Sequence, residues 1–389
     1  MLRVLTFTSL YPNSEMPQLG VFVENRLRQL LHDTEIESRV FSPVPWVPFG
    51  RYIDEKYYKY SQIRKKDKRY GINITNSRYF HLPKIGMNIQ AISMAICSYS
   101  AIKRIIDEGY DFDVIDAHYF YPDGVAAVLL AKMLGKPVVV TARGSDINVY
   151  RQYPVPRTLI KWASKRASAI ITVCQALKNV LCEMSVSKDK VTVLRNGVDL
   201  DLFRPHENRF EIRKNLNLNG KILLMVGRLV KLKGHDLVIQ ALTLLKDTSL
   251  LIVGEGEEKE SLEEKINKLG LENRVRLLGA VPHRDLPDYY SAADALILAS
   301  SSEGWANVIL ESLSCGTPVV ATNVGGTSEI VVSPESGILV NERTPDAIAQ
   351  AVKELFDNYP DREKTRKYAE KFSWLETSLG QEKLFLKIT

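Results

Sequence analysis

Short apolar runs rich in β-branched residues alternate with amphipathic stretches along the whole chain, and this alternation restricts the fold more than any other feature. In the first half the runs are Val4–Thr8, Val114–Ala117, Val138–Ala142, Ala169–Val173 and Val191–Leu194. In the second they are Ile222–Val226, Leu250–Val253, Val275–Leu278, Ala295–Leu298, Val319–Thr322 and Ile338–Val340. Continuous hydrophobicity over four to six residues is what strands buried on both faces require. Amphipathic stretches such as Leu237–Leu245 and Lys259–Lys268 lie between them. Such β-α alternation builds parallel sheets covered by helices on both faces. A chain of 389 residues exceeds one ordinary core, and about two domains are expected. The turn-rich segment from Asn196-Gly197-Val198-Asp199 to Pro205 marks the break. The expected fold is therefore α/β: two doubly wound domains, 1–198 and 199–370, facing a central cleft, with a last helical stretch in 371–389. Ligands of such sheets bind beyond the carboxyl ends of the strands.

Hydrophobic residues at 45% and charged residues at 25% fit a soluble globular enzyme. The four cysteines, Cys97, Cys174, Cys182 and Cys315, are scattered, which argues against a disulfide framework or a zinc site. The start of the chain does not read as a signal peptide, and no apolar run approaches the ~20 residues that span a bilayer. A cytoplasmic protein is expected, one that at most sits peripherally on the inner face of the plasma membrane. Charge is uneven: residues 1–200 carry 28 Lys+Arg against 18 Asp+Glu, the remainder 24 against 28. A basic first half points to an anionic partner there, or to chance variation of a solvated surface.

Three loops in the second half follow strands and carry residues unsuited to plain packing. Gly227-Arg228-Leu229-Val230-Lys231-Leu232-Lys233-Gly234 puts two cations five apart just past a strand, where a guanidinium and an ammonium can neutralise a diphosphate without a metal. Gly254-Glu255-Gly256 is the second loop. The third, Ser300-Ser301-Ser302-Glu303-Gly304-Trp305, leads into a helix starting near Ala306 that carries Glu311 about two turns in. The helix N-terminus offers unpaired N–H groups to an anion.

Arg228 and Lys233, Glu303-x7-Glu311, and the continuation Cys315-Gly316-Thr317-Pro318-Val319-Val320-Ala321-Thr322 to Gly325-Gly326 together resemble the retaining glycosyltransferases of family 4. The likeness covers essentially the whole chain and is strongest over 220–340. It implies the GT-B architecture of two Rossmann-like domains, the first binding acceptor and the second a nucleotide sugar, with the C-terminal helix returning to pack on the first. It implies that Arg228 and Lys233 bind the donor diphosphate and stabilise the leaving group. Glu303 would meet the donor sugar and Glu311 the ribose hydroxyls. Backbone amides of Asn307 and Val308 would meet phosphate, and the turn from Gly279 to Val281 would lie near the nucleobase. The family usually has Gly where this chain has Ala306, and a hydrophobic residue in place of Asn307.

In the first half, Thr8-Ser9-Leu10-Tyr11-Pro12 and Gly20-Val21-Phe22-Val23 follow the first strand. Gly20 matches a family glycine that lets backbone approach the diphosphate, or is an ordinary turn glycine. His118 ends its strand and matches a family histidine near the donor sugar. Arg143 stands where the family commonly has histidine, and with Asp146 would contact the acceptor, unless Asp146 caps the next helix. Asp111-x-Asp113 and Asp199-x-Asp201 read as turns rather than metal ligands; no metal or other cofactor is required beyond the donor.

The loop 56–70, with Lys56-Tyr57-Tyr58-Lys59-Tyr60 and Arg64-Lys65-Lys66-Asp67-Lys68-Arg69-Tyr70, interleaves cations and aromatics. It reads as a patch for an anionic membrane surface, a reach toward an anionic acceptor, or a plain surface loop. Nothing else supports nucleic acid. Ile89, Ile92, Ile96, Ile102 and Ile106 are expected in the core. The function so expected is transfer of a sugar from a UDP- or GDP-sugar to a lipid-linked or polysaccharide precursor. A soluble small-molecule acceptor, a nucleotide-sugar epimerase and a non-catalytic sugar-nucleotide sensor are the alternatives.

Overall fold

The computed structural model describes residues 1–83 and 86–389. The chain divides into two compact units: unit 1 comprises Met1–Arg195 with Trp374–Thr389, and unit 2 is Asn196–Ser373.

Unit 1 holds β1 (Arg3–Phe7), β2 (Glu37–Trp46), β3 (Lys66–Arg69), β4 (Ile72–Phe80), β5 (Val114–His118), β6 (Val138–Ala142), β7 (Ala169–Thr172) and β8 (Val191–Val193). They form one sheet in the order β3-β4-β2-β1-β5-β6-β7-β8, parallel throughout except for the antiparallel edge pair β3–β4. The central strands are buried along their length, as their unbroken apolar runs require. The chain returns to this unit at its end. Helix Leu375–Ile388 packs against helix Val21–Asp33, and its Phe385 joins Val4, Tyr11, Val23 and Leu27 in the core.

Unit 2 holds β9 (Lys221–Val226), β10 (Thr248–Val253), β11 (Val275–Gly279), β12 (Ala295–Leu298), β13 (Val319–Thr322) and β14 (Gly337–Val340), all parallel, in the order β11-β10-β9-β12-β13-β14. Its core packs Leu223, Met225, Leu250, Ile252, Ile297 and Val320 of the sheet against Val238, Leu242, Ile348 and Val352 of the helices. Each sheet reverses its winding once. The crevice where neighbouring strands lead to helices on opposite faces lies between β1 and β5 in unit 1 and between β9 and β12 in unit 2.

All eleven expected strands are present within two residues of their expected ends. Two expectations are corrected. The segment 56–70 is not a loop: it supplies most of helix Glu55–Gln62 and the whole of β3. Its cations are partly engaged, Arg69 with Glu24 at 2.7 Å and Lys59 with Glu55 at 2.8 Å. In helix Gln90–Asp107 the buried face is Ala91, Met94, Ala95, Ser98, Ile102 and Ile105. Ile102 is buried as expected and Ile106 half-buried, but Ile92 and Ile96, with Ile89 just before the helix, lie off that face and are exposed.

Candidate functional site

The crevice of unit 2 gathers most of the residues singled out in the second half. The loop after β9 ends in the short turn Lys231–Lys233, closed by Gly234 in the left-handed region. Its Lys233 ammonium lies 2.6 Å from Glu303 Oε1, beyond β12, and the same oxygen accepts from Ser300 Oγ at 2.6 Å. The two loops are further tied by Ser301 N–H to Leu232 O (2.8 Å) and by Arg343, which donates to Ala299 O (2.7 Å) and Lys231 O (3.3 Å). Glu303 is held from behind by Gly325, whose φ is +56° and where a Cβ would lie 2.0 Å from the Glu303 carbonyl. Only glycine fits there. Arg228 is exposed, and among the described residues its guanidinium has no ion-pair partner.

Helix Asn307–Ser314 starts at Ala306, which supplies no side-chain cap, so its first amides are left to other partners. Asn307 Oδ1 accepts from Asn196 Nδ2 at 3.1 Å, and Trp305 Nε1 donates to Asn196 O at 3.0 Å. Val308 is half-buried beside it. Glu311 accepts from Tyr290 Oη at 2.8 Å and lies 3.3 Å from His283 Nε2. Burial, followed by the Glu311 charge, pushes the Tyr290 phenol far above its usual range. Gly279 ends β11 with φ +71°, and the half-buried Val281 follows at this sheet edge. Lys233 and Glu303 are therefore in direct contact, while Glu311 belongs to a separate cluster on the helix.

In unit 1, His118 closes β5 and is only 1% exposed. Its Nε2 lies 3.0 Å from Asp116 Oδ2, and its Nδ1 accepts from Arg143 Nη2 at 2.6 Å. Since the guanidinium can only donate, the ring proton sits on Nε2. Burial lowers the His118 pKa to about 4, with Arg143 and Arg26 assisting and Asp116 opposing, so the ring is neutral at pH 7. Arg143 lies over the Phe22 ring, 5.4 Å from its centroid. Asp146 is buried and its carboxylate accepts from the amides of Phe120 (2.6 Å), Gly144 (2.6 Å) and Arg143 (3.0 Å). Asp146 lies inside the helical turn Ser145–Asn148 rather than at its cap, Gly144, and these contacts organise the loop. Gly20 (φ +67°) caps helix Val21–Asp33, and a Cβ there would strike the Leu10 carbonyl at 2.1 Å. Beyond β5, the buried Asp123 accepts from the Ser9 amide and hydroxyl, so it ties the β1 loop to the β5 loop. Burial raises its pKa to about 7. Asp111 pairs with Lys136 and Asp113 accepts from the Arg3 amide, so that pair diverges to different partners.

Sequence reasoning missed Asp116, Gln381, His283, Tyr290, Ser300 and Arg343. Asp116 was within reach, because residues two apart on a strand share a face. Ser300 lies three residues before Glu303 on the same loop, and the others reach their partners only through tertiary packing.

Two Rossmann-like sheets, each with polar and charged groups gathered at its crevice, make up the GT-B architecture. The model of "Glycosyltransferase Family 4" matches residues 26–202, and that of "Glycosyl transferases group 1" matches residues 207–372. TuaC of Bacillus subtilis, a glycosyltransferase assigned to teichuronic acid biosynthesis, is 30% identical over 90% of this chain and 88% of its own. The D-inositol 3-phosphate glycosyltransferase of Corynebacterium aurimucosum is 27% identical over 94% and 90%. Sucrose-phosphate synthase of Thermosynechococcus elongatus has the same fold, with a TM-score of 0.80 at 19% identity, covering 100% of this chain and 99% of that one. So does HepE of Anabaena, solved in complex with UDP-glucose, at a TM-score of 0.74 and 20% identity over 100% of both chains. The chain belongs to the family 4 glycosyltransferases.

Proposed function

We propose that this glycosyltransferase moves a sugar from a UDP- or GDP-linked donor to an acceptor hydroxyl, with retention at the anomeric carbon and without a metal ion. The observation that carries the reading is the Lys233–Glu303 contact at the crevice between β9 and β12, with Arg228 on the same loop. An ammonium, a guanidinium and the uncapped amides of Asn307 and Val308 are the donor set a nucleoside diphosphate needs. Departure of that group concentrates negative charge on the phosphate oxygen, and preorganised positive groups lower the barrier most where charge grows. In the proposed step the anomeric carbon–phosphate oxygen bond breaks and a bond to the acceptor oxygen forms on the same face. The acceptor proton passes to the departing phosphate oxygen. Glu303 orients the sugar, Glu311 takes the ribose hydroxyls, the Gly279–Val281 turn lies by the base, and Gly20 and His118 complete the donor contacts. Arg143 and Asp146 belong to acceptor recognition, Asp146 by shaping the loop. HepE, solved with UDP-glucose, supports a nucleotide-sugar donor.

The proposed acceptor is a lipid-linked or polysaccharide precursor, handled by a cytoplasmic enzyme that touches the inner membrane surface. The assignment of TuaC to teichuronic acid supports this reading. Among the described residues no helix is long and apolar enough to cross a membrane. Unit 1 instead carries exposed Phe49 (80%), Tyr52 (72%) and Ile53 (63%) after β2, close in sequence to Lys56 and Lys59. Lys65, Lys66, Arg78 and Arg104, together with Glu108, line an open groove of about 420 Å³, in which Lys66 lies 3.8 Å from Glu108.

The test is a screen of UDP- and GDP-sugars by thermal shift, followed by transfer assays with the donor that binds. A saturating donor at about 100 times its Kd should add about 2.7 kcal/mol of apparent stability. Glu303→Ala should then lose transfer by about 10²–10³-fold. Binding without turnover or hydrolysis across donors and acceptors would refute the enzymatic reading, and full activity in Glu303→Ala would refute the site.

A further inference from the structure

We infer that Gln381, on the last helix of the chain, is a positioning residue that holds His118 in a single tautomer and thereby aims the Arg143 guanidinium beyond β6. The inference rests on the proposed role of Arg143 and His118 toward substrate.

A continuous line of buried hydrogen bonds carries it. Arg26 Nε donates to Gln381 Oε1 at 2.8 Å, and Gln381 Nε2 donates to Asp116 Oδ2 at 2.8 Å. His118 Nε2–H reaches the same Oδ2 at 3.0 Å, and Arg143 Nη2 donates to His118 Nδ1 at 2.6 Å. Arg26, Gln381, Asp116 and His118 are each no more than 1% exposed, and Arg143 is 9% exposed. The line admits one polarity only. Arg26 can only donate, so the Gln381 amide turns its oxygen toward it and its nitrogen toward the carboxylate. Arg143 can only donate as well, so His118 must accept at Nδ1 and carry its proton at Nε2. Asp116 Oδ1 has no partner among the described residues, and Oδ2 takes both donors. Gln381 therefore helps fix the one oxygen that fixes the imidazole.

Anchoring the helix alone would not require this glutamine. The helix is also held by Thr377 Oγ1 donating to Arg195 O and by Phe385 in the core. What Gln381 adds leads only to the ends of β5 and β6. Glutamate in its place would set a second carboxylate against Asp116. An apolar side chain would leave Asp116 and Arg26 each short of a buried partner. The charged groups facing His118 are Asp116, Arg143 and Arg26. With Gln381 gone, the imidazole is the hydrogen-bond donor left to Asp116 Oδ2 among the contacts described above, which favours the protonated ring and repels Arg143.

The test uses the full chain with ¹⁵N-labelled histidine, the His118 signal being assigned by its loss in His118→Gln. The wild type should show a neutral Nε2–H ring that does not titrate between pH 5 and 8. Gln381→Met should mix the tautomers or bring titration into that window. Its acceptor KM should rise by about 10–100-fold, and because His118 is also proposed to contact the donor, the donor-induced thermal shift should weaken as well. Gln381→Asn, which keeps the amide but withdraws it, should change both in the same direction by less, and it decides the matter if Gln381→Met does not fold. Lys383→Ala, exposed on the same helix, should behave as wild type. A folded Gln381→Met protein with an unmoved His118 signal and an acceptor KM within about twofold of wild type would overturn the proposal. If the wild type transfers no sugar at all, the proposed function fails while the His118 signal still decides the relay.

Discussion

His235 isolates what one buried titratable side chain does to this protein. It opens helix His235–Ala241 behind the Lys233 loop, is 3% exposed, and its Nδ1 has no hydrogen-bond partner among the described residues. Burial, with Lys233 adding repulsion, lowers its pKa to about 4. The unfolded chain takes up this proton near the ordinary histidine value of about 6.5, while the folded chain refuses it until about pH 4. Stability is therefore lost as pH falls through that window, by about 1.4 kcal/mol per pH unit for this group. His118 acts with the same sign, and Asp123, raised to about 7, acts with the opposite one. Asp146, raised by burial, acts with Asp123, so the share of His235 is read from the change in melting midpoint between pH 6.5 and pH 4.5. In His235→Gln the midpoint at pH 6.5 should fall relative to that at pH 4.5, and an unchanged pH dependence would show that this ring is not what resists protonation. None of this was legible from one histidine in a basic loop. By contrast, Lys233 and Glu303 stood out in the sequence as candidates, because charged residues on loops just after buried strands have no packing role to play.

At the scale of elements, the strands that escaped reading are the ones whose chemistry contradicts a strand. β2 contains Pro43 and Pro45, which remove ladder donors, yet it pairs with β1 and β4. β3 is four charged residues on an exposed edge, where charge discourages further pairing. β4 breaks its alternation at Asn76, whose Nδ2 donates to Arg64 O and pins the chain that leads to β3. The candidate site depends on elements in a similar way, since the Glu303 loop is shaped by a neighbour it does not contact through side chains. Gly325→Ala tests this. A Cβ 2.0 Å from the Glu303 carbonyl, on a residue at φ +56°, forces either the glycine turn or the Glu303 loop to move. The left-handed conformation alone costs about 1–2 kcal/mol for alanine. The variant should melt lower and show a weakened donor-induced shift, and a normal shift at a reduced melting point would mean that Gly325 supports the fold without shaping the loop.

At the scale of the whole molecule, strand order and chain return are what a linear reading reaches least. Alternating β and α segments predict parallel sheets, but the winding reversals beside β1 and β9 follow from which strands pair, and Gln381 meets residues hundreds of positions away only because the last helix packs on unit 1. The apolar surface of unit 1 is likewise a product of folding. Ile92 and Ile96 lie on the outer side of helix Gln90–Asp107, while Phe49, Tyr52 and Ile53 project after β2. If these groups meet an anionic bilayer, insertion of aromatic and aliphatic side chains should contribute alongside attraction of the lysines. Phe49→Ser with Ile53→Ser should reduce co-flotation with vesicles of phosphatidylglycerol and phosphatidylcholine. The same pair should leave donor-induced stabilisation of unit 2 intact, because the donor groups proposed there are not altered. Raising salt should weaken binding of the wild type by screening the lysines, and should leave a residue of binding that the double variant lacks. Equal flotation of wild type and variant at high salt would remove the apolar face from the account and leave any membrane attraction to charge alone.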